Sequence, residues 1–238
     1  MNISVIGYGK MGKEIEQLCI QKGHSIYSIV DPLLGTGLED LKGTDMAIEF
    51  TQPISASQNI RYCIDNQIPI VSGTTGWHKE LDSLKEYCLA KNGTLFYSSN
   101  FSIGVHLFWQ VSGYLAEKLD AFNNYKLGLH EIHHDQKKDA PSGTAVTLAE
   151  TMLKTSKRFK AWNKSDQPQW VEDGSIPISS DRKGEVCGTH IVEYTSEYDR
   201  LLFTHEAFSR GGFVSGVVAA AEWLNGRKGV FGMDDLLF

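Results

Sequence analysis

Short, mostly apolar runs alternate with amphipathic stretches through the first hundred residues. Residues 3–6 form such a run, and Met11, Ile15, Leu18 and Cys19 then recur at helical spacing until about Gly23. SIYSIV follows and ends at Asp31-Pro32. Residues 46–50 (MAIEF), 68–72 (IPIVS) and 94–98 (TLFYS) read as strands, with helices over 55–66 and 77–91 between them. Strands alternating with helices predict βαβ units and a parallel sheet. From about Ile103 the pattern changes. Residues 103–119 read as a long helix, 125–133 as a strand and 142–157 as a helix. Residues 158–180 are polar and proline-bearing and read as loop. Residues 187–194 and 201–208 read as strands with no long helix between them, and 212–224 as a buried helix of small apolar residues.

This pattern predicts two domains. The first is an α/β Rossmann nucleotide-binding domain over 1–102, completed by 212–238. The second, over 103–211, is an α+β substrate-binding and oligomerisation domain with a mixed sheet. A chain of 238 residues can bury about 70% of its unfolded surface, enough for a core without staples. Hydrophobic residues are 41% and charged residues 22%, with a net charge of −6. That composition offers no basic footprint for nucleic acid, and an anionic substrate would need a local positive pocket. No apolar run approaches the ~20 residues that span a membrane. The start, MNISVIGYGK, lacks the pattern of a signal peptide. Cys19, Cys63, Cys88 and Cys187 are scattered and form no CxxC pair, so buried thiols in a reducing cytoplasm are expected.

The first strand runs into Gly7-Tyr8-Gly9-Lys10-Met11-Gly12, a G-x-G-x-x-G turn opening a helix. One glycine permits the tight turn, one lets backbone approach a pyrophosphate, and one lets helix and strand pack closely. Asp31 ends the second strand roughly 20 residues on, where an acid binds a ribose hydroxyl pair. The plain alternative is a glycine turn without a ligand. Two later loops also follow strands, where parallel sheets bind ligands: Gly73-Thr74-Thr75 and Ser98-Ser99-Asn100-Phe101. They could contact a nicotinamide and its ribose, or be ordinary turns.

The densest chemistry is HEIHHDQKKDAPSGTA, beginning at His130. His130, His133, His134 and Asp135 are candidate metal ligands. There is no HExxH, and neighbouring strand residues point to opposite faces, so no metal is expected. A solvated turn accounts for Gln136 and Lys138 but not for the ending Asp-Ala-Pro-Ser-Gly-Thr. There Ser142 can N-cap a helix whose first turn, with Gly143 and Thr144, offers free amides. With Lys137 and a histidine nearby, that turn suits a substrate carboxylate.

The stretch from Glu131 to Ala145 resembles the E-x-H-H-x-x-K-x-D-A-P-S-G-T-A signature of the 4-hydroxy-tetrahydrodipicolinate (dihydrodipicolinate) reductase family. The resemblance covers the whole chain: GYGKMG, EFTQP from Glu49, SGTTGW, SSNFSIGV, and Arg182 to His190 as R-x-G-x-x-x-G-x-H. Departures are Glu49, where the family often has Asp, and Ser98-Ser99, where Ala is common. The resemblance implies NADH- or NADPH-dependent reduction of a cyclic imine dicarboxylate on the lysine and diaminopimelate route. It implies that His133 is the proton donor and Lys137 a second catalytic cation. His134, Gly143 and Thr144 then bind substrate, and a homotetramer forms through the second-domain sheets. The other readings are a dinucleotide-binding regulator without turnover and a different two-domain dehydrogenase.

Overall fold

The computed structural model describes residues 1–166 and 174–238. The chain divides into two units, Met1–Ile103 with Gly211–Phe238, and Gly104–Arg210.

Unit 1 runs β1 (Asn2–Ile6), α1 (Lys10–Gln21), β2 (Ser25–Val30), β3 (Met46–Glu49), α2 (Pro53–Asp65), β4 (Ile70–Ser72), α3 (His78–Ala90) and β5 (Thr94–Tyr97). The chain leaves through α4 (Ile103–Leu119), which begins at the end of unit 1 and belongs mostly to unit 2. Unit 2 continues with β6 (Lys126–His133), α5 (Gly143–Thr155), β7 (Ala161–Lys164), β8 (Ser175–Arg182), β9 (Gly188–Thr195) and β10 (Arg200–Ala207). The chain then returns to unit 1 with α6 (Gly211–Leu224), β11 (Gly229–Phe231) and α7 (Met233–Leu237).

The unit 1 sheet has the order β11-β5-β4-β3-β1-β2, and every pairing is parallel. Its inner strands β1, β3, β4 and β5 are covered on both faces, which is why they read as apolar runs rather than alternating ones. Ile3, Val5, Met46, Ile48, Val71 and Phe96 face a core shared with α1 and α6. Ala47, Ile70 and Leu95 point to the opposite core, with Ile60, Ile64 and Leu84 of α2 and α3. The strand order reverses between β1 and β3, and ligands of doubly wound sheets bind at such a switch point.

The unit 2 sheet is mixed, β10-β9-β6-β8-β7. Strand β9 runs antiparallel to β6 and β10, and β8 runs parallel to β6 and β7. Leu127, Leu129, Ile176, Ile178, Val192 and Tyr194 pack one face against Phe108 and Ala116 of α4 and Leu148 and Met152 of α5.

Two expectations are corrected. The segment 158–180 is not simply loop: it supplies β7 and most of β8, while its stretch 167–173 lies outside the described residues. Pro177 argues against a central strand because it donates no ladder bond. It is tolerated because the pairing of β8 with β7 spans Ser175 to Ile178, whereas the ladder to β6 begins only at Ile178. The second concerns the thiols. Cys19, Cys63 and Cys88 are buried, but Cys187 is exposed.

Candidate functional site

The ends of β1 and β2 meet at the glycine turn. Gly7 has φ +92°, and a Cβ there would lie 2.1 Å from the Phe50 carbonyl oxygen. A Cβ on Gly12 would lie 2.1 Å from the Gly7 carbonyl oxygen. These two glycines let the turn fold onto β3 and let α1 pack against the turn. Gly9 differs, because a Cβ built on it meets nothing within 4 Å. Gly9 is the N-cap of α1 and brings no side chain to the cap. Open space therefore lies over a helix start whose amides carry the positive end of the helix dipole, the arrangement a pyrophosphate needs.

Asp31 is tied to the same turn. One carboxylate oxygen accepts from the Tyr8 amide at 2.9 Å and the other from the Leu33 amide at 2.9 Å. Those two bonds hold its carboxyl below the usual carboxylate range. Each oxygen keeps a further lone pair for a ribose hydroxyl. Lys10 is exposed at the first position of α1. Met11 packs partly against the core, and the Tyr8 hydroxyl is bonded to Glu16. The residues of the unit 1 turn thus fit a dinucleotide.

The two later loops are partly turned inward. Glu49, fully buried at the end of β3, accepts from Ser72 Oγ at 2.6 Å, Thr74 Oγ1 at 2.8 Å and the Thr51 amide at 3.0 Å. The Thr51 hydroxyl also donates to it. The hydroxyl of Thr74 is thereby committed to holding the loop, whereas Thr75 is exposed. Phe101 is 3% exposed and packs on Phe96 and Phe50, so its side chain belongs to the core. Ser98 Oγ is bonded within its own turn, to the Asn100 amide and carbonyl. Ser99 is exposed, and Asn100 and Gly73 are half-buried. Of these positions, Gly73, Thr75, Ser99 and Asn100 keep surface that a ligand could meet.

In unit 2 the histidine-lysine stretch brackets a buried carboxylate. Glu131, fully buried near the end of β6, accepts from the Ser142 amide through both oxygens at 3.0 and 3.1 Å. Its Oε2 lies 3.6 Å from His133 Nδ1 and 3.7 Å from His190 Nε2, and its Oε1 lies 3.8 Å from Arg182 Nη1. The His133 and His190 rings meet edge to face at 5.1 Å. Burial, the dominant cause, holds the His133 imidazole below its usual range, and Lys137 and Arg182 act in the same sense while Glu131 opposes them. Burial also pushes His190 down to about 3.

Lys137 Nζ pairs with both Asp139 oxygens at 2.8 and 2.9 Å. Arg182 ties down the same loop by donating to the carbonyls of Lys137 and Asp139 at 3.1 and 2.6 Å. The loop closes through a cis Ala140-Pro141 bond onto Ser142. Ser142 Oγ accepts from the Ala145 amide and so caps α5. A Cβ on Gly143 meets nothing within 4 Å, so this helix start, like that of α1, faces open space. His134 and Thr144 are half-buried, and Thr144 contributes its carbonyl to Trp109 Nε1 at 3.1 Å.

The structure thus brings His133 to one cluster with the Ser142 cap, and Lys137 to the loop that Arg182 ties to it. His130 lies apart from that cluster: its Nδ1 bonds instead to Ser179 Oγ at 2.7 Å. Among the described residues, Glu131, His133 and His190 hold ligand atoms within 4.8 Å of one another, a set spacing alone did not suggest. The guanidinium at 3.8 Å already supplies positive charge there. Glu131, Asp139, Arg182 and His190 were not singled out as site residues from spacing. The one available signal was that each lies inside a segment of the family signature.

Two family profiles match the chain, the dihydrodipicolinate reductase N-terminus over residues 1–101 and C-terminus over 104–237. A 4-hydroxy-tetrahydrodipicolinate reductase of Christiangramia forsetii is 40% identical over 238 residues, covering 100% of this chain and 98% of that protein. One of Methanococcoides burtonii is 34% identical over 232 residues, covering 95% of this chain and 85% of that protein. The fold is shared with the dipicolinate-bound dihydrodipicolinate reductase of Paenisporosarcina sp. TG-14. That likeness has a TM-score of 0.78 at 22% identity and covers 99% of this chain and 98% of the other. With profiles for both halves and full-length relatives of one name, the chain belongs to the dihydrodipicolinate reductase family.

Proposed function

We propose that the chain reduces 4-hydroxy-tetrahydrodipicolinate to tetrahydrodipicolinate, with release of water, at the expense of NADH or NADPH. The observation that carries this reading is the grouping of His133, the Glu131 carboxylate and the open helix start at Gly143. Open amides at a helix start, with the nearby cations Lys137 and Arg182, suit the carboxylates of a cyclic dianion in a protein of net charge −6. Loss of the 4-hydroxyl as water leaves a conjugated imine. A reduced nicotinamide held at the unit 1 turn would supply a hydride to carbon 4, and the enamine left behind must then take a proton on the ring carbon between carbon 4 and the imine carbon. His133 is the donor of that proton. Lys137, released from Asp139, stabilises the charge that develops on the ring. His134, Gly143 and Thr144 bind the substrate. Gly7, Tyr8, Gly9, Lys10, Met11, Gly12 and Asp31 bind the dinucleotide. Gly73, Thr75, Ser99 and Asn100 are proposed beside the nicotinamide, Thr74, Ser98 and Phe101 supporting those loops through contacts within unit 1.

The test is loss of NADH absorbance on adding freshly made substrate. A binding protein without turnover would show none. The same assay reads cofactor choice. A 2′-phosphate placed ~4 Å from the Asp31 carboxylate at an effective dielectric of ~20 is repelled by about 4 kcal/mol before relaxation. Pro32 beside it offers no cation. NADH is therefore used at least as well as NADPH, and Asp31→Ala shifts the ratio of kcat/KM values towards NADPH. A tenfold wild-type preference for NADPH refutes the charge argument, and an unmoved ratio in Asp31→Ala removes that residue from the choice.

The reaction is proposed as a cytoplasmic one, where free thiols such as Cys19, Cys63 and Cys88 stay reduced. No helix among the described residues is long and apolar enough to cross a membrane. A homotetramer would use the unit 2 sheet face opposite α4 and α5, where Ile191, Leu202 and Arg200 line a cavity of about 380 Å³. Light scattering of the intact chain reads that state, and a monomeric mass would exclude it.

A further inference from the structure

His133 faces charged groups on every side. They are Glu131 on its own strand, Lys137 and Asp139 in the loop, Arg182 on β8 and His190 on β9, with His205 of β10 beside His190. Glu131 alone presents a buried carboxylate to the His133 ring. Its Oε2 stands 3.6 Å from His133 Nδ1, and that nitrogen has no hydrogen-bond partner among the described residues. A gap of this size is slack: closing it by several tenths of an ångström makes a charge-assisted hydrogen bond. Catalytic bonds are often loose in a free protein and tighten once substrate is held. The other ring nitrogen, Nε2, lies where a Cβ on residue 188 would come within 3.1 Å of it, and that residue is glycine. Nε2 is therefore the nitrogen left with room beside it.

We propose that Glu131 is the positioning residue for the proton donor. Its carboxylate takes the Nδ1–H of His133, leaves Nε2 to carry the transferred proton, and stabilises the imidazolium that forms when the dianionic substrate arrives. This inference rests on the reductase reading above. The fixed partners of Glu131 explain how it can do this. The Ser142 amide and Arg182 hold the carboxylate in place, so it cannot swing away from the ring. His190, on the other side of Oε2, is kept neutral by burial and brings no competing positive charge. Strand pairing places Glu131 opposite His190 and His133 opposite Arg182, so one sheet register sets the whole arrangement.

The sign follows from the charge. Burial, Lys137 and Arg182 disfavour the imidazolium, while Glu131 and Asp139 favour it. Removing the Glu131 charge while keeping an acceptor for Ser142, as in Glu131→Gln, lowers the pH above which His133 is unprotonated. Opposite charges at this range shift a pKa by about 1–3 units. The alkaline limb of kcat/KM should move to lower pH by about one unit or more. At neutral pH kcat should fall about 10- to 100-fold while the KM for NADH stays unchanged. Glu131→Asp, which keeps the charge, should hold the limb nearer its wild-type position.

A second readout needs no turnover. Nitrogen NMR of the imidazoles should show wild-type His133 as the Nδ1–H tautomer, and the variant should lose that preference. A Glu131→Gln profile that superimposes on wild type overturns the proposal, as does a wild-type Nε2–H tautomer. If Glu131→Gln does not fold, the wild-type tautomer alone decides. Absence of turnover in the wild type would instead overturn the reductase reading and leave the tautomer measurement standing.

Discussion

His133→Gln lowers kcat by about 10² to 10⁴, the usual scale for a positioned acid, and leaves NADH affinity within about twofold of wild type. The expectation rests on separation of tasks within the chain. The glycine turn and Asp31 lie in unit 1, whereas His133 lies in unit 2 among Glu131, His190 and Gly188. Glutamine can still place an amide near Glu131, but it cannot deliver a proton at neutral pH. Lys137→Ala should show a loss of similar size by a different route. Its ammonium is bound by Asp139 in the free protein, so the proposed substrate would have to compete for it. Removing it costs both affinity for the dianion and stabilisation of developing charge, so KM rises as kcat falls. Steady-state kinetics with separate NADH titrations check both variants. Near-wild-type kcat in the two would remove them from the chemistry.

How much of this could be read from the sequence depends on how local each interaction is. GYGKMG was legible because its three glycines fall within six residues and open a single strand-turn-helix junction. The Ser142 cap was legible for the same reason, since the capping side chain and the amide it takes are three residues apart. The carboxylate between two imidazoles was not. Glu131 meets His190 across an antiparallel ladder, and His133 lies opposite Arg182 across a parallel one. Pattern predicted both strands β6 and β9 but says nothing of their relative register. Thr74 and Phe101 show the converse limit. Their loop positions were visible, but only the structure shows that one hydroxyl serves Glu49 and that the phenyl ring sits on Phe96. Strand β8 was hidden by Pro177, whose usual meaning is reversed where pairing is one-sided.

The glycine turn provides the sharpest separation of folding from binding. A methyl group on Gly12 would stand 2.1 Å from the Gly7 carbonyl oxygen, and one on Gly7 would stand 2.1 Å from that of Phe50. Both obstacles are backbone, so they cannot turn away as a side chain would. At Gly7 the φ of +92° adds a cost of about 1–2 kcal/mol for any L side chain. Overpacking of a rigid site costs typically 1–3 kcal/mol, so Gly7→Ala should lose about 3 kcal/mol or more and Gly12→Ala about 1–3 kcal/mol. Gly9→Ala is the informative contrast. Its methyl meets no protein atom within 4 Å, and its φ of −75° suits alanine. The fold should lose no more than about 1 kcal/mol, the scale of a poorer N-cap residue. The space the methyl enters is the space proposed for the pyrophosphate, so NADH affinity should fall at least about tenfold, or about 1.4 kcal/mol. Urea midpoints and direct NADH titration of the three variants separate the two effects. If Gly9→Ala binds NADH as wild type does, the open space over α1 is not where the dinucleotide phosphates lie.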